Sequence, residues 1–282
     1  MFADTRKTIL FANNNKSKII FDVDALAFIN LAGITSNSEK NAINNLYKNL
    51  KGVGAQNTVH DFYTNLTAFY PFAGCKASSF IYNGKNPSAS NPYNLTFAGG
   101  VTYSTNGAKF NGTNGFANTF IPQNAMQRNL NGFSVYFRED NARSETQFGH
   151  LSRPSFIKTN ISYNALKQWF GADKFSGGTA GTNIYANING LTRVNRNTSA
   201  NYRVYKNGIQ IELVTAASEA NTDITTFTIG AIRLGDTNGT TFYSDKTICY
   251  AEISNSHSLS GAQELIYYNC IQQYQTEQGR QV

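Results

Sequence analysis

Enzyme chemistry needs polar side chains held at set separations, and this chain offers few such sets. Hydrolysis of a glycosidic bond takes two carboxyls a fixed distance apart. The nearest acidic pair, Glu139 and Asp140, follows Arg138 in a polar stretch that reads as a loop. His60, His150 and His257 stand isolated along the sequence, and no G-x-S-x-G elbow, Walker loop or H-E-x-x-H occurs. Cys75, Cys249 and Cys270 are odd in number and lack C-x-x-C spacing, so neither a zinc site nor a disulfide framework is indicated. Cys249 in an apolar strand and Cys270 on the inner face of a helix are expected to be buried as small hydrophobes. Catalysis is not expected.

Binding is the chemistry that remains. Trp169, the single tryptophan, sits between Gln168 and Phe170 in a short strand. Aromatic faces stack on sugars, so Trp169 is the candidate carbohydrate-binding residue, although a lone Trp in a β-sandwich is more often core. Asp236, Asn238 and Asp245 supply oxygen ligands near Gly235 and Gly239, but their spacing matches no strict calcium loop. No cofactor is expected beyond that possible calcium ion.

The elements that must position these residues are mostly strands. Asn207-Gly208 lies between two alternating runs, the pattern of a tight type I′ hairpin. Further short strands are predicted at residues 95–97, 101–103, 116–121, 133–137, 147–151, 157–161, 168–170, 184–188, 191–194, 226–229 and 247–253. Asn-Gly and Gly-Gly turn signals are closely spaced between residues 83 and 115. Helical periodicity appears in two places. Near the N-terminus it predicts helices over 25–31, capped by Asp24, then from a Ser36/Glu39 capping box to Gly52, and a further turn over 59–69. Ile43, Leu46, Tyr47 and Leu50 fall at i, i+3, i+4 and i+7, one apolar stripe that reads as core or subunit packing. Near the C-terminus a helix is expected to start at Ser260 and stop at Gly279. Residues 1–21 carry apolar Ile9-Leu10-Phe11 and Ile19-Ile20-Phe21 around a polar loop, either a hairpin or an arm that adds a strand to a neighbour.

Several of these stretches resemble a known family. Tyr205-Lys206-Asn207-Gly208, the run from Phe227 to Ala231 and the run from Phe242 to Ile253 look like the second half of a concanavalin A-like (laminin-G-like) jelly roll. Tyr70-Pro71-Phe72-Ala73-Gly74 with Asn111-Gly112-Thr113-Asn114-Gly115 resembles its opening. The ending Gln272-x-x-Gln275-Thr276-x-x-Gly279-Arg280-Gln281-Val282 is similar to the closing helix of such domains in structural proteins of tailed bacteriophages. The resemblance covers residues 69–282 in patches. It implies a mainly β fold, a jelly-roll sandwich with a C-terminal helix. Laminarinase-type glycosidases of this fold carry E-x-D-x-x-E on one strand, which is absent here, while related laminin-G domains hold calcium.

Composition fits that fold. The 282 residues include sixteen Tyr and twenty Phe, suited to pleated, half-buried surfaces, and only 15% are charged. The net charge of +7 is scattered, whereas nucleic-acid binding favours a clustered basic face. No run of about 18 apolar residues predicts a membrane span, and no apolar signal core follows Met1. The expected organisation is an arm or hairpin over 1–21, a helical anchoring unit over 22–69 and a jelly roll over 70–282. The resemblance implies a non-enzymatic virion component, as head decoration, head fibre or tail part, assembled in the host cytoplasm. Its expected partners are capsid or tail proteins, docked through Ile9, Leu10, Phe11, Ile19, Ile20, Phe21, Ile43, Leu46, Tyr47 and Leu50, with a homo-oligomer as a further option. The alternative is a carbohydrate-binding module that touches host surface glycans.

Overall fold

The computed structural model describes residues 19–141, 144–151, 158–175, 179–180, 183–219, 224–234, 239–255 and 259–282. The chain opens with helices α1 (Val23–Leu31) and α2 (Asn37–Leu50). Strand β1 (Leu66–Tyr70) and the one-turn helix α3 (Ala77–Phe80) follow. Short strands β2 (Thr96–Ala98), β3 (Val101–Ser104) and β4 (Gly107–Phe110) lead to the longer β5 (Phe116–Pro122), β6 (Asn131–Phe137), β7 (Glu145–Leu151) and β8 (Lys158–Tyr163). Then come β9 (Phe170–Phe175), β10 (Thr179–Ala180), β11 (Gly190–Arg196), β12 (Asn201–Lys206) and β13 (Ile209–Thr215). The last strands are β14 (Thr226–Ile229), β15 (Ile232–Leu234), β16 (Thr240–Thr241) and β17 (Thr247–Asn255), before helix α4 (Gly261–Glu277).

Two sheets form a mainly β, jelly-roll sandwich. The first runs β13-β12-β11-β6-β17-β4-β3, with β1 also paired to β17. The second runs β10-β9-β8-β7-β14-β5-β2, with β15 lying parallel to β7 and β16 on β15. Alternation along the strands sorts side chains into two cores. On β6, Phe133, Val135 and Phe137 enter the core between the sheets, where they meet Phe148, Ile161, Phe227 and Ile229. Tyr136 points the other way, into a second core with Tyr250 and the helices. β6 and β17 are therefore buried on both faces, which explains why the run from Thr247 to Ile253 alternates so weakly in hydropathy.

The helices cover the outer face of the first sheet. Asn49 Nδ2 of α2 donates to Gln273 Oε1 of α4 at 2.9 Å, and Asn45 Nδ2 to Glu277 Oε1 at 3.0 Å. α1, α2 and α4 end alike, with Gly33, Gly52 and Gly279 at positive φ and a returning N–H to the carbonyl five residues back. Gly52 is the constrained member, since a Cβ there would lie 2.9 Å from the His60 carbonyl oxygen. Beneath α4, Arg193 is paired with both Glu252 and Glu264, all three within the protein. No helix among the described residues is long and apolar enough to cross a membrane.

Four local expectations are corrected. Residues 66–69 are strand, not helix, because Leu66–Tyr70 pairs with β17; only Tyr63–Asn65 makes a 3-10 turn. β1 thus runs across the boundary expected at 69/70. Asp22 rather than Asp24 caps α1, accepting from the Asp24 and Ala25 N–H groups. Ser36 caps α2, but Glu39 turns away from it and accepts from the Gly74 N–H at 2.6 Å, so the reciprocal half of the capping box is not made. Residues 184–188 carry no strand. At the other end, Ser260 and Gln263 form both halves of the α4 capping box. Asn207 and Gly208 take positive φ values of 50° and 78° in the β12–β13 turn, as the type I′ reading requires.

Candidate functional site

The helices α1, α2 and α4 cover the outer face of the first sheet, and none of them covers the outer face of the second. Phe148 and Ile161 of neighbouring strands point into the sandwich, so Asn160 and Ser162 of β8 point outward. Simple alternation would send Thr146 inward with Phe148. The register between β7 and β8 shifts there, Thr146 opposing Ser162 while Phe148 opposes Ile161. The extra residue, Gln147, is a bulge that turns Thr146 to the outer face.

These residues line a concavity of about 530 Å³. Thr146 Oγ1 and Ser162 Oγ share a hydrogen bond of 2.8 Å, and Asn160 Nδ2 donates to Ser162 Oγ at 2.7 Å. Asn160 Oδ1 is buried with no hydrogen-bond partner. Leu151 of β7 and Ile232 of β15 form an apolar side, and Phe242, just past β16, stands over the concavity with 60% of its surface exposed. Its carbonyl accepts the Thr146 N–H at 2.9 Å, tying the Phe242 turn to the bulge. Phe242 holds φ at 52°, a left-handed conformation that costs a bulky residue roughly 1–2 kcal/mol.

One end of the concavity is a buried charge network. Lys246 Nζ lies 2.6 Å from Glu145 Oε1, and Glu145 Oε2 accepts the Asp245 N–H at 2.7 Å. Burial pushes the Glu145 carboxyl above its ordinary range, against the opposing pull of Lys246. Asp245 goes the other way. Partial burial would raise it, but the Asn141 amide and the Lys246 charge take it down to about 2.

The candidate residues of the sequence are scattered by this geometry. Trp169 is wholly buried, edge-on to Tyr202 at 6.1 Å between the sheets, so it offers no face to a sugar. Ile43, Leu46, Tyr47 and Leu50 are also wholly buried, against α4 and the first sheet, and are closed to an outside partner. Ile19 and Ile20 are exposed, beside Asn41, Asn44 and Lys48 in a shallow concavity, and Phe21 is half-buried against the helices. Ile9, Leu10 and Phe11 lie outside the described residues, as do Asp236, Asn238 and His257. Asp245, the remaining calcium candidate, accepts from Asn141 Nδ2 at 3.1 Å and sits beside Lys246, a cation where a metal site would want anions. No group of three or more His, Cys, Asp or Glu that could hold a metal is found among the described residues. Cys249 and Cys270 are buried, and burial pushes their thiols up to about 11 and about 12. The sequence drew no attention to Asn160 or Ser162. The one available signal was Phe242 itself, an aromatic preceded by Asn-Gly-Thr-Thr.

No family model and no curated protein matches the chain. Solved structures do. A Trypanosoma rangeli sialidase in complex with sialic acid is 16% identical, with a TM-score of 0.55 over 81% of this chain and 38% of that one. A botulinum neurotoxin type C, whose cell entry depends upon interaction with two ganglioside molecules, is 15% identical, with a TM-score of 0.53 over 74% of this chain and 52% of that one. The receptor binding domain of botulinum neurotoxin mosaic serotype C/D is 13% identical, with a TM-score of 0.52 over 73% and 51%. The chain spans only part of these proteins, and identities this low speak for a shared β-sandwich fold.

Proposed function

We propose that the chain is a non-catalytic carbohydrate-binding module that takes a glycan in the concavity bounded by β7, β8, β15 and Phe242. The observation that carries this reading is Phe242, an exposed ring held in a costly backbone conformation above a floor of hydroxyl and amide groups. Sugar recognition asks for that pairing, an aromatic face for the ring's C–H groups and short polar side chains for its hydroxyls. The likeness to a sialidase bound to sialic acid and to a ganglioside-dependent toxin supports it at the level of fold. The test is binding of the purified chain to immobilised glycans, with Phe242→Ala alongside. The expected result is binding by the native chain and at least a tenfold loss in the variant at unchanged Tm. A native chain that binds no glycan overturns the reading.

A second reading places this module on the virion of a tailed phage, attached through its N-terminal region as one copy or as a homo-oligomer. It rests on the resemblance of residues 272–282 and on exposed Ile19 and Ile20. The attachment test is a pull-down of virions with the full chain and with a variant lacking residues 1–20, a cut that removes Ile19 and Ile20 and spares α1 and α2. Binding by the full chain alone supports the reading; equal binding, or none, overturns N-terminal attachment.

A further inference from the structure

The concavity also carries information about which sugar it takes. Gly149 of β7 lies opposite Asn160 in the register, and a Cβ built on it would be 2.7 Å from Asn160 Cβ and 3.3 Å from Ile232 Cγ1. The missing side chain therefore lets two unlike groups close over Gly149, and both border the concavity. On one side is Asn160, 2% exposed, whose Nδ2 is spent on Ser162 and whose Oδ1 has no partner. A buried acceptor without a donor is destabilising, and a ligand N–H is a group that satisfies it. On the other side are Ile232 and Leu151, 5% and 7% exposed, which offer no polar atom and suit a methyl group.

We propose, resting on the carbohydrate-binding reading above, that the ligand is a neutral N-acetylated amino sugar whose acetamido group enters the part of the concavity bordered by Asn160, Ile232 and Leu151. An acetamido group places an N–H donor and a methyl two bonds apart, so Asn160 Oδ1 receives the first while Ile232 and Leu151 enclose the second. The pyranose ring then lies toward Phe242. A plain hexose carries a hydroxyl in the same place. It would satisfy Asn160 and leave the apolar side facing a polar group. An acidic sugar finds no free cation there: Glu145 is the only charged side chain among the described residues that line the concavity, and its partner Lys246 is buried and paired with it.

The experiment compares N-acetylglucosamine and N-acetylgalactosamine oligosaccharides with the same oligosaccharides lacking the acetamido group, by calorimetry on the full chain. The expected result is at least a tenfold preference for the acetylated series. Ile232→Ala and Asn160→Ala should each reduce that preference severalfold while retaining whatever weak binding the plain series shows. Tm is measured in parallel, and if Asn160→Ala fails to fold, Ile232→Ala decides. Equal binding of the two series, or a preference unmoved by Ile232→Ala, overturns the acetamido assignment and leaves the module reading standing. Binding of neither series, with binding to other glycans, overturns the assignment alone; binding to no glycan at all removes both.

Discussion

At Phe242, backbone energy and surface chemistry pull in opposite directions. Glycine takes φ > 0 without steric cost, so Phe242→Gly relieves the left-handed penalty while adding some chain entropy to the unfolded state. The expected outcome is a Tm raised by a few degrees, about 1 kcal/mol, together with loss of glycan binding. Scanning calorimetry and the glycan assay check the two halves. A second residue-level conflict lies under α4, where the one guanidinium of Arg193 faces the carboxylates of Glu252 and Glu264. Burial pushes Glu264 up to about 7, and neither Arg193 nor the Asn195 amide offsets it. A raised carboxyl binds its proton more tightly when folded, so its contribution is full below about pH 4.5 and is lost as pH rises through 7. Stability should therefore fall over that window by on the order of 3 kcal/mol, and Glu264→Gln should flatten the slope. Urea titrations at pH 5 and pH 8 measure it.

The elements show where local signals suffice and where they do not. Three helices share one glycine-terminated ending, yet their glycines differ in surroundings. Gly33→Ala and Gly279→Ala meet open space and should cost about 1 kcal/mol each, the left-handed penalty alone. Gly52→Ala would also press on the His60 backbone and should cost at least twice as much, read as a larger drop in urea midpoint. The helix ends, the Asn207-Gly208 turn and most strands were legible because each is governed by residues within a few positions of one another. β1 was not. Leu66 to Tyr70 reads as a helical continuation until β17, some 180 residues later, offers it an edge to pair with. The site was still less legible. The Gln147 bulge exists only relative to β8, and Asn160, Gly149 and Ile232 share no sequence neighbourhood. Apolar stripes carry the same ambiguity, since Leu46 on α2 could equally have faced another subunit. Leu46→Ala should cost about 2–5 kcal/mol of stability, the signature of core, read as a drop in urea midpoint.

On the scale of the whole molecule there are three layers, helices, first sheet and second sheet, with the first sheet serving two cores. Removing residues 1–60 would uncover Tyr250, Tyr267 and Ile271 together and should abolish cooperative unfolding, read by scanning calorimetry. The C-terminal run belongs to this architecture. The guanidinium of Arg280 is buried and donates to the Phe72 and Pro71 carbonyls where β1 ends. The position of β17 has a consequence in time. It is the last strand among the described residues and sits in the middle of its sheet, between β6 on one side and β4 and β1 on the other. At about 5–20 residues per second of synthesis, β1 waits roughly 10–40 s for its partner to be made. Through that interval neither core can close, and the aromatic strands made early stand with their edges bare on the ribosome. Yield in the cell should then depend on chaperones that hold nascent chains, far more than the finished protein's stability would suggest.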